Sequence, residues 1–259
     1  MLWSEYILGK QTYHQLALKY GCSAKTIQRL LDSHLSKRET NYPAVVNLLM
    51  DTTYFGKTFG VMVFKDSITK QILHIQFVKQ ETNNLYLLGV KEITKRGIKI
   101  QSIVCDGRKG LFQIFEDIPV QMCNFHQVAI VRKYLTKKPK MQASKELWLL
   151  TLMLVKTDRE SFEGALNDWH EQWNNFLNER TVDEKGKSRY IHKRLRSAYR
   201  SLRTNMPYLF TWYDKIELKI PNTTNAIDGH FSDLKNKLRN HNGLAEHRKK
   251  QFIVEFFKA

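Results

Sequence analysis

Three aspartates stand where carboxylates can hold metal ions. Asp51 comes directly after the apolar run Val45–Met50, and Asp106 comes directly after Ile103–Cys105. The third, Asp228, lies in a polar segment near the C-terminus. Carboxylates that meet repel each other unless a cation lies between them, and their oxygens suit Mg²⁺ or Mn²⁺. Two such ions about 4 Å apart can activate a water or a 3′-hydroxyl and stabilise the leaving oxygen of a phosphodiester.

The elements that must position the first two aspartates are five strands and three helices. The apolar patterns predict strands at Val45–Met50, Phe59–Lys65, Leu73–Phe77, Ile100–Cys105 and Val120–Cys123. They predict helices at Asn83–Arg96, around Lys109–Phe115 and at Phe125–Leu135. The order β-β-β-α-β-α-β-α is that of the RNase H-like fold, an α/β fold with a mixed five-stranded sheet. Its first and fourth strands are parallel neighbours, so we expect both carboxylates at one edge of the sheet.

Each aspartate also has a purely structural explanation. With Asn225 as the N-cap of a helix over about residues 224–239, Asp228 is the third helical residue, where a carboxylate caps the helix and favours its dipole. For Asp51 and Asp106 the structural alternative is an ordinary turn at the end of a strand. We favour the ligand interpretation of Asp228 because the fold needs a third carboxylate there and Gly229 would let a substrate approach closely.

The first 35 residues predict two short helices joined by a tight turn. Gly21 can adopt the positive φ that ends one helix, and Ser23 can cap the next. The string from Gln15 to Arg29 resembles the helix-turn-helix of many bacterial DNA-binding proteins, although a generic helical hairpin is the alternative. In such motifs the start of the second helix contacts bases in the major groove. The residues assigned to the major groove are Ala24, Lys25, Thr26, Gln28 and Arg29.

The chain is strongly basic, with 42 Lys and Arg against 25 Asp and Glu and a net charge of +17. That charge fits a polyanionic partner, most often nucleic acid. Basic residues cluster in Arg132–Lys140, Arg180–Arg203 and Lys235–Lys250. A solvated helix face is the alternative explanation of any one cluster. The residues assigned to DNA phosphates are Arg194, Arg196 and Arg200.

Composition excludes several classes of protein. Apolar residues make up 42% and aromatic residues 12% of the chain, which excludes a disordered or collagen-like polypeptide. No run of 18 apolar residues occurs, so no membrane span is expected, and the first residues show no signal-peptide pattern. The three cysteines form no Cys-x-x-Cys, which predicts a reduced, cytoplasmic protein without a zinc finger.

Four motifs together resemble bacterial insertion-sequence transposases of the Mutator-like DDE group, over about residues 40–250. They are Asp51-Thr52-Thr53-Tyr54-Phe55, Val104-Cys105-Asp106-Gly107, Cys123-Asn124-Phe125-His126-Gln127 and Thr223-Thr224-Asn225-Ala226-Ile227-Asp228-Gly229. The resemblance implies an RNase H-like catalytic domain, cleavage at element ends that depends on two Mg²⁺ ions, with Mn²⁺ as a substitute, and strand transfer into a target. It carries Asp51, Asp106 and Asp228 over as the metal ligands. Cys123 and His126 match a Cys-x-x-His of the family and are expected to support the site.

The resemblance also divides the chain. A helix-turn-helix region is expected over residues 1–38, the first part of the catalytic core over 39–139, an all-helical insertion over 140–215, and helices that complete the core over 216–259. The expected partner is double-stranded DNA, both element ends and target, with no membrane. We expect a homodimer or higher oligomer on DNA, in the bacterial cytoplasm and at the nucleoid.

One departure from the family leaves a second hypothesis open. The third acid is usually Glu, and Asp228 is one methylene shorter, which can move a metal by about 1 Å and cost on the order of 10²-fold in rate. The second hypothesis is that the chain is a catalytically inactive derivative of a transposase, which binds element ends and represses transposition. Mg²⁺-dependent nicking of an end duplex separates the two hypotheses. A third, an RNase H-like nuclease or resolvase, leaves the helix-turn-helix and the insertion without a purpose.

Overall fold

The computed structural model describes residues 2–33 and 41–258 and divides them between two compact units. Unit 1 comprises the described residues of Met1–Ala44, Asp51–Ile98 and Asn225–Ala259, and unit 2 comprises Val45–Met50 and Lys99–Thr224. The predicted boundary between residues 38 and 39 lies outside the described residues. The other domain boundaries predicted from the sequence stay predictions.

One mixed sheet runs through the α/β fold. Its strands are β1 (Val45–Phe55), β2 (Phe59–Asp66), β3 (Ile72–Val78), β4 (Lys99–Cys105) and β5 (Val120–Met122). They are arranged in the order β3-β2-β1-β4-β5. β1 pairs in parallel with β4, as β4 does with β5, whereas β2 and β3 are antiparallel. The five mixed strands and their order confirm the predicted RNase H-like sheet.

The first strand is longer than predicted. The sequence predicted an end at Met50 with Asp51 just beyond it, but β1 continues to Phe55 and includes Asp51. The residues after Asp51 are two threonines, a tyrosine and a phenylalanine, all of which favour extended backbone. Their propensity outweighs their polarity, so the aspartate projects from within the strand.

Helices make up most of the described residues outside the sheet. They are α1 (Leu2–Ile7), α2 (Tyr13–Tyr20), α3 (Ala24–Asp32), α4 (Asn83–Thr94), α5 (Asn124–Leu135), α6 (Gln142–Met153), α7 (Arg159–Asn178), α8 (Lys193–Leu209), α9 (Thr211–Asp214), α10 (Asn225–Leu238) and α11 (Glu246–Lys258). Short 3₁₀ turns cover Phe112–Phe115 and Ile216–Leu218. Across residues 2–33 and 41–258, no helix is both long enough and apolar enough to span a membrane.

The predicted turn between α2 and α3 forms in unit 1. Gly21 ends α2 with a φ of 63°, and its N–H donates to the carbonyl of Ala17. The Ser23 hydroxyl accepts from the N–H of Thr26 and so caps α3. Both devices satisfy backbone groups that helix ends leave unpaired. A helix-turn-helix geometry therefore follows from residues that the sequence identified.

The insertion in unit 2 is helical except for one hairpin. Its strands are β6 (Arg180–Val182) and β7 (Ser188–Tyr190), which pair antiparallel. Asp183 makes the turn, since its Oδ1 accepts from the N–H groups of Lys185 and Lys187 at 3.1 and 2.9 Å, and Gly186 adopts a φ of 73°. The expectation of an all-helical insertion is therefore corrected here, because local turn chemistry ends α7 and starts a hairpin.

A stripe of apolar side chains on α7 is buried in the core. Phe162, Leu166 and Trp169 are each at most 4% exposed. The indole N–H of Trp169 donates to the carbonyl of Ala143 at 3.1 Å, across the packing of α6 on α7. These contacts leave the stripe no free face for a ligand.

Candidate active site

Asp51 and Asp228 are brought together in unit 1, although they are far apart in the sequence. One carboxylate oxygen of each lies within 4.8 Å of the other. Asp51 is 9% exposed and its Oδ1 accepts from the N–H of Thr52 at 2.7 Å, while Asp228 is half-buried in the first turn of α10. Two carboxylate oxygens at this separation can share one divalent cation.

The structural explanation of Asp228 stands beside the ligand interpretation. Asp228 lies in the first turn of α10, where a carboxylate favours the helix dipole. A Cβ added to Gly229 would meet no atom within 4 Å, so packing does not require glycine there. The surface next to Asp228 is open to a substrate.

Asp106 leaves the sheet in unit 2 directly after β4, as predicted. Its Oδ1 accepts from the N–H of Arg108 at 3.2 Å. The backbone at Gly107 runs close to the side chain of Met122 on β5, because an added Cβ would lie 2.4 Å from its Cε.

Cys123 and His126 lie together where β5 leads into α5, also in unit 2. Burial raises the pKa of the Cys123 thiol, but hydrogen bonds with His126 and Thr224 outweigh that effect and leave it below its ordinary value. Thr224 donates to the sulfur through both its N–H and its hydroxyl, each at 3.3 Å. The thiol thus anchors the residue that immediately precedes α10.

Lys65 is a residue that the sequence analysis missed. It is 2% exposed in β2, and its ammonium donates to the carbonyl of Ala226 at 3.1 Å and lies 3.3 Å from Nε2 of His230. Burial, and secondarily the charge of Lys70, lowers its pKa to about 8. Lys65 therefore holds the first turn of α10, two residues before Asp228. A lysine that continues the apolar run of β2 was the available signal.

The sequence matches one family of known proteins. The family model described as "Transposase, Mutator family" matches residues 61–241. The chain belongs to this family. The matched segment of the transposase includes Asp106, Cys123, His126 and Asp228, and it begins after Asp51.

No curated protein matches the chain. Among solved structures, the cryoEM structure of the simian T-cell lymphotropic virus intasome in complex with PP2A regulatory subunit B56 gamma is 12% identical, with a TM-score of 0.26. The match covers 73% of this chain and 72% of that chain.

The α3 residues that were assigned to DNA differ in their surroundings. Lys25, Thr26 and Arg29 are exposed, but Gln28 is half-buried. The amide oxygen of Gln28 accepts from the guanidinium of Arg248 on α11. The same guanidinium pairs with Asp32 at 3.1 Å. Gln28 thus joins α3 to α11, and the exposed cations of the transposase on this helix are Lys25 and Arg29.

The three arginines that were assigned to DNA phosphates differ in how exposed they are. Arg196 is half-buried and donates to Leu177 O and Asn178 Oδ1 at 2.8 Å each, with its guanidinium carbon 3.7 Å from the ring centre of Tyr190. It therefore fixes the hairpin to α7. Arg194 and Arg200 are exposed on α8, and Arg194 also donates to the carbonyl of Lys133 at 2.8 Å. These two remain the arginines of the set that an external phosphate can reach.

Proposed function

We propose that this Mutator-family transposase is a DDE-type enzyme that cleaves DNA at element ends and joins the ends to a target. Asp51, Asp106 and Asp228 would hold two divalent ions, Mg²⁺ first and Mn²⁺ as a substitute. The single observation that carries this proposal is the approach of the Asp51 and Asp228 carboxylates within 4.8 Å. Membership of the family supplies the reaction class.

A divalent ion suits this donor set. Two carboxylates from different elements repel each other unless a cation neutralises them, and hard oxygen ligands favour Mg²⁺ over softer metals. When bound, the ions would act as Lewis acids toward the phosphodiester and its attacking oxygen. The protein's own contribution is orientation: Thr52 N–H holds one oxygen of Asp51, and Lys65 holds the turn of α10 that bears Asp228.

The proposed partner is double-stranded DNA, at element ends and at the target. The net charge of +17 supports it. We assign Lys25 and Arg29 to base edges, and Arg194 and Arg200 to phosphates, because these four side chains are exposed. Two ends must be joined in one reaction, so we propose a homodimer or higher oligomer on DNA, acting in the cytoplasm and at the nucleoid.

The test is single-turnover cleavage of a duplex taken from the genomic DNA that flanks the gene. Asp51→Asn and Asp106→Asn should abolish cleavage in Mg²⁺, because an amide oxygen is an uncharged and weaker ligand. DNA binding, measured by fluorescence anisotropy, should be unchanged. Asp168→Asn, at an exposed position on α7, is the matched control and should cleave normally. Cleavage near the wild-type rate by Asp51→Asn or Asp106→Asn would remove that residue from the site.

The shorter side chain of Asp228 favours a second candidate function. In that case the chain binds element ends without cleaving them and represses transposition. Both candidates predict DNA binding, and only the first predicts a rate that depends on divalent ions. A wild-type protein that shifts the flanking duplex but leaves it intact in Mg²⁺ and in Mn²⁺ would support the repressor.

A further inference from the structure

A cavity of about 490 Å³ opens in unit 1 where β1 and α10 end. We call it the β1–α10 cavity. Its lining includes Tyr54 and Phe55 from β1, Lys235 from the last turn of α10, and Arg239, which directly follows that helix and whose N–H still donates to the carbonyl of Lys235. β1 also carries Asp51 and α10 carries Asp228, so both elements of the carboxylate pair run on into this cavity. The side chains of Asp51 and Tyr54 lie on opposite faces of β1, since they are three residues apart, so the path from the carboxylate pair to this cavity follows α10.

The α10 side of this path changes from acidic to basic. At 3.6 residues per turn, Asp228, Lys235 and Arg239 fall within a stripe about 40° wide on one face of the helix. A rise of 1.5 Å per residue puts Lys235 about 10 Å and Arg239 about 16 Å beyond Asp228 along the axis. One nucleotide occupies about 3.4 Å of a duplex strand, so Lys235 lies about three nucleotides from the carboxylates.

The charge of the cavity is uncompensated. Lys249 joins Lys235 and Arg239 in the lining, and no Asp or Glu lines it. In the part of the chain that the structure describes, no salt bridge ties any of these three cations to a carboxylate. Three cations of this kind attract successive phosphates of a nucleic-acid strand.

The β1 side supplies an aromatic platform. Tyr54 is 40% exposed, and its hydroxyl accepts from the N–H of Glu81 at 2.8 Å. A Cβ on Gly60 would lie 3.0 Å from two carbons of the Tyr54 ring, so the ring packs against a residue without a side chain. The ring is thus held in place while a large part of it stays accessible. A fixed, exposed ring beside cations is the combination that stacks nucleobases.

The cavity lining also includes a histidine with an unpaired ring nitrogen. His241 lines the cavity and is 7% exposed. Its ring hydrogen-bonds the backbone of Tyr6, but within the described residues its Nε2 has no hydrogen-bond partner. Buried polar groups are normally paired, so a lining residue with an unpaired ring nitrogen favours a ligand that brings a polar group.

We propose that the β1–α10 cavity binds one unpaired nucleotide of the DNA strand, about three nucleotides from the cleaved bond. Its base stacks on Tyr54, its flanking phosphates contact Lys235, Arg239 and Lys249, and its polar edge reaches His241. A base within a duplex is stacked on both faces and cannot meet the ring, so the nucleotide must leave the helix. This inference rests on the proposed function, because it takes the carboxylate pair as the point of cleavage.

The test compares two fluorescein-labelled duplexes that are identical except for one unpaired thymidine. Affinity is measured by anisotropy in the absence of divalent ions. Base–aromatic stacking predicts that the wild type binds the bulged duplex about 10-fold more tightly than the paired one. Tyr54→Leu should bring this ratio close to one, whereas Tyr54→Phe keeps the ring and should retain it. Tyr213→Leu, which removes an exposed tyrosine of unit 2, should leave it unchanged.

A second readout needs no variant. With 2-aminopurine as the unpaired base, stacking on Tyr54 should quench its fluorescence when the wild-type protein binds. Equal affinity of the wild type for both duplexes, or a ratio retained by a folded Tyr54→Leu, would overturn the inference. The proposed catalysis fails separately: no cleavage with the preference intact refutes catalysis alone, and cleavage without the preference refutes the cavity alone.

Discussion

Replacing Lys65 by methionine removes a buried ammonium from beneath the helix that bears Asp228. Burial lowers the pKa of this lysine from its ordinary 10.5 to about 8. Below pH 8 the group is charged in both folded and unfolded chains, and the folded protein carries the cost of a buried charge. Between pH 8 and 10.5 the folded protein loses the proton first, so its stability rises with pH.

The size of the effect follows from the shift. At about 1.4 kcal/mol per pKa unit, the wild type should gain about 3 kcal/mol of unfolding free energy across this window. Other lysines and tyrosines titrate in the same window, so the quantity to use is the difference between wild type and Lys65→Met. Because Lys65 is only 2% exposed, water screens its charge little and the full shift in pKa contributes to stability.

Urea unfolding at half-unit steps from pH 7 to pH 10.5 measures this difference. The two stability curves should diverge as pH rises, with the wild type gaining on the variant. Lys91→Met, which removes an exposed lysine on α4, is the control and should run parallel to the wild type. Parallel curves for Lys65→Met would show that Lys65 keeps an ordinary pKa and refute the reasoning from burial.

Three further outcomes are expected. Changing both Arg194 and Arg200 to Gln should flatten the plot of log affinity against log salt by about 2, at about 0.9 per phosphate contact, and an unchanged slope would make them a solvated face. Arg196→Ala should instead lower unfolding stability by about 2 kcal/mol in urea, through two hydrogen bonds and a cation–π contact, and full stability would contradict the hairpin role. Lys25→Ala with Arg29→Ala should lose preference for the end sequence but keep random-duplex binding, measured by competition, and a retained preference would move recognition elsewhere.

Point substitutions suit the recognition test better than a deletion of residues 1–35. Tyr6 of α1 is 2% exposed and packs edge-on against Phe252 of α11 at 5.5 Å between ring centres. Arg248 of α11 pairs with Asp32 of α3. Deletion would expose the core side of α11, so loss of specificity and loss of folding would be confounded.

The strands and most helices could be predicted because their signals are local. Apolar runs such as Val45–Met50 and Ile103–Cys105 predict buried strands. Gly21 and Ser23 mark the turn between α2 and α3, the glycine through its backbone and the serine through its hydroxyl. The hairpin at Arg180–Tyr190 was also local, but its three-residue strands are too short to show alternation.

The remaining features depend on contacts between distant residues. The bond from Lys65 to Ala226 spans 161 positions, and that from Thr224 to Cys123 spans 101. No periodicity in the sequence encodes such pairs. The approach of Asp51 to Asp228 was likewise expected only from the fold's need for a third carboxylate and from the resemblance to a family. Charge and spacing could not predict that Arg196 and Gln28 are half-buried. Each is hydrogen-bonded to residues of another helix, Arg196 to the end of α7 and Gln28 to Arg248 of α11.

The most direct test of the central claim is to replace the third carboxylate, Asp228. Single-turnover cleavage of the flanking duplex by wild type, Asp228→Ala and Asp228→Glu, in Mg²⁺ and in Mn²⁺, measures it. If Asp228 is a metal ligand, the Ala variant is inactive in both metals, and the Glu variant keeps or raises activity because it restores the usual reach of the family's third acid. Cleavage by Asp228→Ala at the wild-type rate would contradict the account.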